Sequence, residues 1–273
     1  MIDSHQHFWK YNSSTHGWIS DEMRVIRRDF QPADLAPLLE THRINGCVSV
    51  QVDQTEEETL SLLALANQHN FIKGVVGWID LRNSNLTSRL EYFSTLKKLK
   101  GFRHIVQGER PRFLAQESFV RGVRELRHFN LTYDLLIYHH QLEEGIAFVR
   151  RVTDTKVVID HIAKPSIRTG EIKEWAKHMK AMAQFPNVVC KVSGMVTEAD
   201  LASWKYEDLA PYLEVVLEAF GANRLLYGSD WPVCLVAATY DAQFSMIQRF
   251  VSPLSDSEKK AILGGNAERF YNL

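Results

Sequence analysis

Eight apolar, β-branched runs recur along this chain, with amphipathic stretches between them, and that alternation limits the folds open to it. The runs cover residues 2–8, 46–52, 73–80, 101–106, 132–138, 156–161, 187–193 and 224–229. Val157-Val158-Ile159 is apolar throughout, as expected of a strand covered on both faces. Residues 56–69, 118–128, 209–220 and 255–271 carry apolar side chains at helical spacing. The last of these opens with Ser255 and Glu258, three apart, the spacing of a capping box. Strands that alternate with helices imply a parallel sheet, and eight such units close most simply into a somewhat distorted (β/α)8 barrel. One domain over residues 1–273 suits that architecture. An open doubly wound sheet is the alternative, but no Gly-x-Gly-x-x-Gly follows a strand.

A net charge of −1, with dispersed Lys and Arg, excludes nucleic acid and anionic membrane as the main partner. Cys47, Cys190 and Cys234 are widely spaced, which argues against a disulfide framework or a thiolate metal site. Each lies in an apolar run and is expected to be a small buried hydrophobe. The chain shows no signal-peptide pattern and no apolar stretch of spanning length, so the cytoplasm is the expected compartment. Homo-oligomerisation is left open.

The first run contains His5 and His7, two residues apart. On a strand, residues i and i+2 point the same way, so the two imidazoles share a face as metal or proton-transfer groups. In barrels of this type, active sites form at the C-terminal strand ends. Ionisable and polar residues collect there: Arg103, His104 and Gln107 at the end of strand four, and His139 and His140 after strand five. Asp160, His161 and Lys164 follow strand six, Lys191 lies on strand seven, and Asp230 follows strand eight. A purely structural barrel has no need of this convergence, because buried charge is costly without a partner. Gly228 suggests a close approach on strand eight. The connection over residues 10–32 is long and holds Trp18, so it reads as a lid or pocket wall.

Plainer readings stand beside these. His161 could hydrogen-bond across the core, Asp230 could cap a helix, and Lys191 could snorkel to the surface. At most one of the neighbouring His139 and His140 can face the centre. His16, His42, His69, His128 and His178 fall in loop or helix patterns and are expected to be solvated.

The motifs His5-Gln6-His7-Phe8-Trp9, Gly101-Phe102-Arg103-His104, Asp160-His161-Ile162-Ala163-Lys164-Pro165 and Gly228-Ser229-Asp230-Trp231-Pro232 together resemble the amidohydrolase superfamily. They are most similar to its amidohydrolase-related branch, in which sugar lactonases of the L-fuconolactonase and L-rhamnonolactonase type are found. The resemblance covers the whole chain in order. It implies a hydrolase that opens an aldonolactone with water. By the same resemblance, His5, His7, His161 and Asp230 are catalytic and are the candidate ligands of one divalent metal, zinc. Arg103 and His104 stand where a carboxylated lysine would be needed for a second metal, and some lactonases of the branch work without any. Asp230 would be the general base. Arg103, His104, Gln107, His140 and Lys191 would contact the sugar lactone, with Trp9, Trp78 and Trp231 as apolar walls. A metal-dependent decarboxylase and a non-catalytic sugar-binding barrel are the other two readings.

Overall fold

The computed structural model describes residues 1–273. Eight parallel strands form one sheet in sequential order. They are β1 (Ile2–Gln6), β2 (Gly46–Val50), β3 (Ile72–Gly77), β4 (Leu99–Ile105), β5 (Thr132–Leu136), β6 (Val157–Ile159), β7 (Val188–Val192) and β8 (Leu225–Tyr227). Helices alternate with them: α1 (Pro32–Thr41), α2 (Glu56–Gln68), α3 (Leu86–Ser94), α4 (Glu117–Glu125), α5 (Leu142–Val149), α6 (Lys173–Met182), α7 (Tyr206–Phe220) and α8 (Tyr240–Val251). The architecture is the expected (β/α)8 barrel.

Closure between β1 and β8 is irregular, which is where the barrel is distorted. The two strands meet through single bonds: Asp230 N–H donates to the His5 carbonyl at 2.8 Å, and His7 N–H to the Trp231 carbonyl at 2.7 Å. The Asp3 carboxylate completes the seam. It accepts from the Ser229 N–H at 2.8 Å and from the Tyr240 hydroxyl at 3.1 Å. Gly228 is required here, because a Cβ at that position would lie 2.7 Å from the Cβ of His5.

The strands are shorter than the sequence runs at one or both ends. β6 stops at Ile159 and β8 at Tyr227, so the residues read as strand ends lie on loops beyond them. Local backbone geometry, rather than strand alternation, therefore aims them. The tail is likewise not one helix. α9 (Asp256–Lys260) has the expected Ser255–Glu258 capping box, a π-type turn follows over Ala261–Gly265, and α10 (Asn266–Tyr271) ends the chain.

Two apolar cores result. The larger packs helices against the outside of the sheet. The smaller joins Val48, Val50, Val76, Val158 and Leu226 to Ala267, Phe270 and Tyr271 of α10. Lys100 and Lys156, which precede the inward-facing parts of β4 and β6, donate to the Asn272 and Phe270 carbonyls. Thus α10 plugs the N-terminal mouth and leaves the opposite mouth open. All three cysteines are buried and free. No helix is long and apolar enough to cross a membrane.

The long β1–α1 connection is stapled at its root. Trp9 and Phe30 exchange backbone bonds of 3.0 and 2.9 Å, and the Trp9 indole N–H donates to the Arg28 carbonyl at 2.8 Å. His16 is buried in this loop beside Trp9, against the expectation that it is solvated. His128 is exposed, whereas His42, His69 and His178 are half-buried. His42 instead pairs with Asp241 at 2.6 Å and packs on Tyr240 and Phe244.

Candidate active site

The open mouth leads into a cavity of about 480 Å³ lined by polar and apolar residues from several loops. At its floor, one carboxylate oxygen is ringed by three imidazoles. Asp230 Oδ1 lies 3.3 Å from His7 Nε2, 3.8 Å from His5 Nε2 and 3.9 Å from His161 Nε2. Asp230 reaches this point because its backbone is left-handed, at φ 58°, immediately after β8.

His161 is placed by a more unusual device. Residues 161–164 are all left-handed, with φ of 52°, 47°, 59° and 45°, and none is glycine. Such conformations cost about 1–2 kcal/mol per residue, so neighbours must hold them. Trp175 of α6 donates its indole N–H to the Ile162 carbonyl at 2.8 Å. The Lys164 carbonyl accepts from His139 Nδ1 at 2.9 Å, and His139 Nε2 faces Ser166 Oγ at 3.2 Å. His161 Nδ1 meets Ser193 Oγ at 2.9 Å. Gly194, at φ 60°, leaves room for the ring, since a Cβ there would collide with it.

Below lies a charged layer of which only Arg103 touches the cavity. Lys191 Nζ sits 2.5 Å from Asp134, 3.0 Å from Asp160 and 3.1 Å from His5 Nδ1. Arg103 bonds Gln51, both side chain and carbonyl, and reaches Asp160 at 3.2 Å and His5 Nε2 at 3.3 Å. The Tyr271 hydroxyl of the plugging helix donates to Asp134 at 2.8 Å. Each cation thus faces a carboxylate, which is what burial demands.

These surroundings set protonation. Burial pulls His161 down to about 4, against the opposing pull of Asp230 and Asp160. Burial, then the Lys191 ammonium, also holds His5 well below the ordinary imidazole value. Burial alone would raise Asp230, but His161, His7 and His5 together hold its carboxyl below the usual carboxylate range. Near neutral pH, neutral His5 and His161 therefore lie beside an ionised Asp230 carboxylate.

The donor set fits a divalent cation. His5, His161 and Asp230 offer ligand atoms within 4.8 Å of one another. His7 Nδ1 lies 2.8 Å from the Val50 carbonyl and must carry a hydrogen there, so Nε2, 3.3 Å from Asp230, meets it as a second N–H donor or, were the ring neutral, with a lone pair. A lone pair facing a carboxylate calls for a cation or a proton between them. Imidazole and carboxylate ligands whose outer nitrogens are themselves hydrogen-bonded are the usual surroundings of zinc.

Of the other expected contacts, Arg103 and Gln107 line the cavity, whereas Trp9, Trp78, Trp231, His104, His140 and Lys191 do not. Trp231 packs on Phe8 and Phe30 in the core, and Trp9 buttresses the loop. Trp78 donates to His104 Nδ1 at 3.1 Å while His104 Nε2 meets Glu109 at 2.8 Å, so this pair forms a bonded strut behind the wall. His140 is exposed on the 3₁₀ turn after β5. Strand alternation failed for it because β5 ends at Leu136. The cavity wall also holds Trp18, Met23, Tyr138, Lys164, Thr197 and Glu198. Asp134, Asp160 and Gln51 support the floor. Their polar character inside or just past apolar runs was the available signal, whereas Glu198 lies in a loop without a motif.

A match to the amidohydrolase family model extends over residues 2–273. The chain belongs to the amidohydrolase family. This amidohydrolase is 40% identical to an L-fucono-1,5-lactonase of Burkholderia multivorans, over 100% of the chain and 96% of that protein. It is 34% identical to an L-fucono-1,5-lactonase of Burkholderia ambifaria, over 100% of the chain and 95% of that protein. Among solved structures, an amidohydrolase from Burkholderia multivorans with bound zinc superposes with a TM-score of 0.96 at 39% identity, covering 100% and 99% of the two chains.

Proposed function

We propose that the protein is a lactonase that hydrolyses a sugar-derived lactone, an aldonolactone of the L-fucono or L-rhamnono type, with residues 1–273 acting as one catalytic domain. The observation that carries this is the ionised Asp230 carboxylate, held among His5, His7 and His161 at the floor of a polar cavity. Full-length similarity to two L-fucono-1,5-lactonases supports the same reading.

Asp230 takes a proton from the attacking water. The water oxygen bonds to the lactone carbonyl carbon, whose π electrons move onto the carbonyl oxygen. As that oxyanion collapses, the ring C–O bond breaks, and the leaving alkoxide receives the proton from Asp230. The product is an open-chain hydroxy acid. The Arg103 guanidinium, beside His5, contributes a fixed positive charge near the developing oxyanion. His161 and His7 orient the carboxylate and the water. His5, His7, His161 and Asp230 would hold one divalent ion, zinc, which when bound polarises the carbonyl and lowers the pKa of water. The test is hydrolysis across an aldonolactone panel, followed with a pH indicator. Turnover of at least one neutral aldonolactone is expected, and none on any lactone, with zinc supplied, would overturn the reading.

A further inference from the structure

The cavity contains one pair of opposite charges that hydrolysis does not use. Lys164 Nζ lies 3.2 Å from Glu198 Oε1, and both side chains are about one-fifth exposed, at 18% and 20%. Both backbones are held. Lys164 ends the left-handed turn, where His139 grips its carbonyl. The Glu198 carbonyl accepts from Arg168 N–H at 3.0 Å, and its own N–H donates to Met195 at 3.1 Å. The Lys164 ammonium also stands 5.5 Å from the Tyr138 ring.

The charged side chains lining the cavity, apart from histidine, are Arg103, Lys164, Glu198 and Asp230. Arg103 is committed to Gln51, Asp160 and His5, and Lys164 to Glu198. No side-chain cation of the cavity is therefore left uncommitted for an entering carboxylate, which would face two carboxylates of the protein. Its desolvation would go uncompensated, and like charges would meet. A sugar hydroxyl suits the same pair, because Glu198 retains acceptor capacity and Lys164 retains N–H donors.

We propose that Glu198 is a specificity-determining residue. By neutralising Lys164 and accepting hydroxyl hydrogens, it selects neutral polyhydroxy lactones over lactones that carry a free carboxylate. This rests on the lactonase reading of the same site.

The experiment compares kcat/KM for L-fuconolactone and for the monolactone of glucaric acid, in the wild type, Glu198→Gln and Glu198→Asp. The wild type should prefer the neutral lactone by tenfold or more. Glu198→Gln should lose about tenfold on the neutral lactone, mainly through KM, and gain on the carboxylated one, as the freed Lys164 ammonium takes up its charge. Glu198→Asp should restore part of the preference. Equal use of both substrates by the wild type, or equal losses on both in Glu198→Gln, would overturn the proposal. Calorimetric binding of the same lactones to Asp230→Asn, with and without Glu198→Gln, reads charge selection without turnover. Tighter binding of the neutral lactone that disappears in the double variant supports it, and equal affinities overturn it. Absence of wild-type turnover on every lactone of the panel with zinc supplied, such a binding preference being intact, would remove the lactonase reading and leave the charge selection standing.

Discussion

The Lys191 ammonium lies 3.1 Å from Nδ1 of His5, so a side chain of β7 meets one of β1 inside the barrel, past the intervening β8. The same ammonium binds Asp134 and Asp160, which makes it the hub of the buried layer under Asp230 and its ring of histidines. A lysine on the surface would be replaceable. This one is not.

Lys191→Met should therefore leave Asp134 and Asp160 buried without their shared cation. Removing one partner of a buried ion pair costs about 3–5 kcal/mol. Urea denaturation should show a loss of that order, and a midpoint within error of the wild type would refute the role.

Asp230→Asn retains the shape of the side chain and removes the proposed base. General-base catalysis contributes about 10²–10⁴-fold, so kcat/KM should fall by at least that range. The melting temperature should change little by comparison. Near-normal turnover in this variant would eliminate Asp230 as the base.

Metal removal is read by stability as well as rate. A ligand that binds only the folded state at 100 times its Kd adds about 2.7 kcal/mol. Dialysis against a chelator should lower the melting temperature, zinc should restore it, and in His5→Asn zinc should restore little. A melting temperature indifferent to chelator and zinc would count against a site at His5, His7, His161 and Asp230.

Trp18 is 43% exposed, lines the cavity and leans edge-on against Trp9 at 6.0 Å. A flat apolar face on a braced loop suits the C–H face of a sugar ring. Trp18→Ala should raise KM about tenfold and change kcat far less, with Trp18→Phe recovering most of the loss. Unchanged KM would make the indole incidental to binding.

The barrel was legible because eight apolar runs must be covered on both faces, and their alternation with helices leaves few closures. His5 and Asp230 were legible for the same reason, since the motifs sit at strand ends. Gly228 told of a close approach, and His5 is what approaches. What strand periodicity could not convey is where β5, β6 and β8 stop. Tyr138, His161 and Asp230 lie past those ends, where φ decides direction, so His140 was assigned a face it does not have. Trp9, Trp78 and Trp231 were ambiguous because an indole fills core or cavity equally well, and only its N–H partner separates the two. Glu198 was silent, since its meaning comes from Lys164, with which only the fold pairs it.

The left-handed turn at residues 161–164 starts with a histidine facing Asp230 and ends with a lysine that faces Glu198. On the proposed mechanism, one rigid corner thus aims a group at the bond to be broken and another at the molecule to be admitted. Anything that relaxes the corner turns both at once. Changing what this enzyme accepts by remodelling that loop would drag its chemistry along, whereas exchanges at Glu198, which lies outside the corner and only pairs with it, would retune admission and leave the aim of His161 alone.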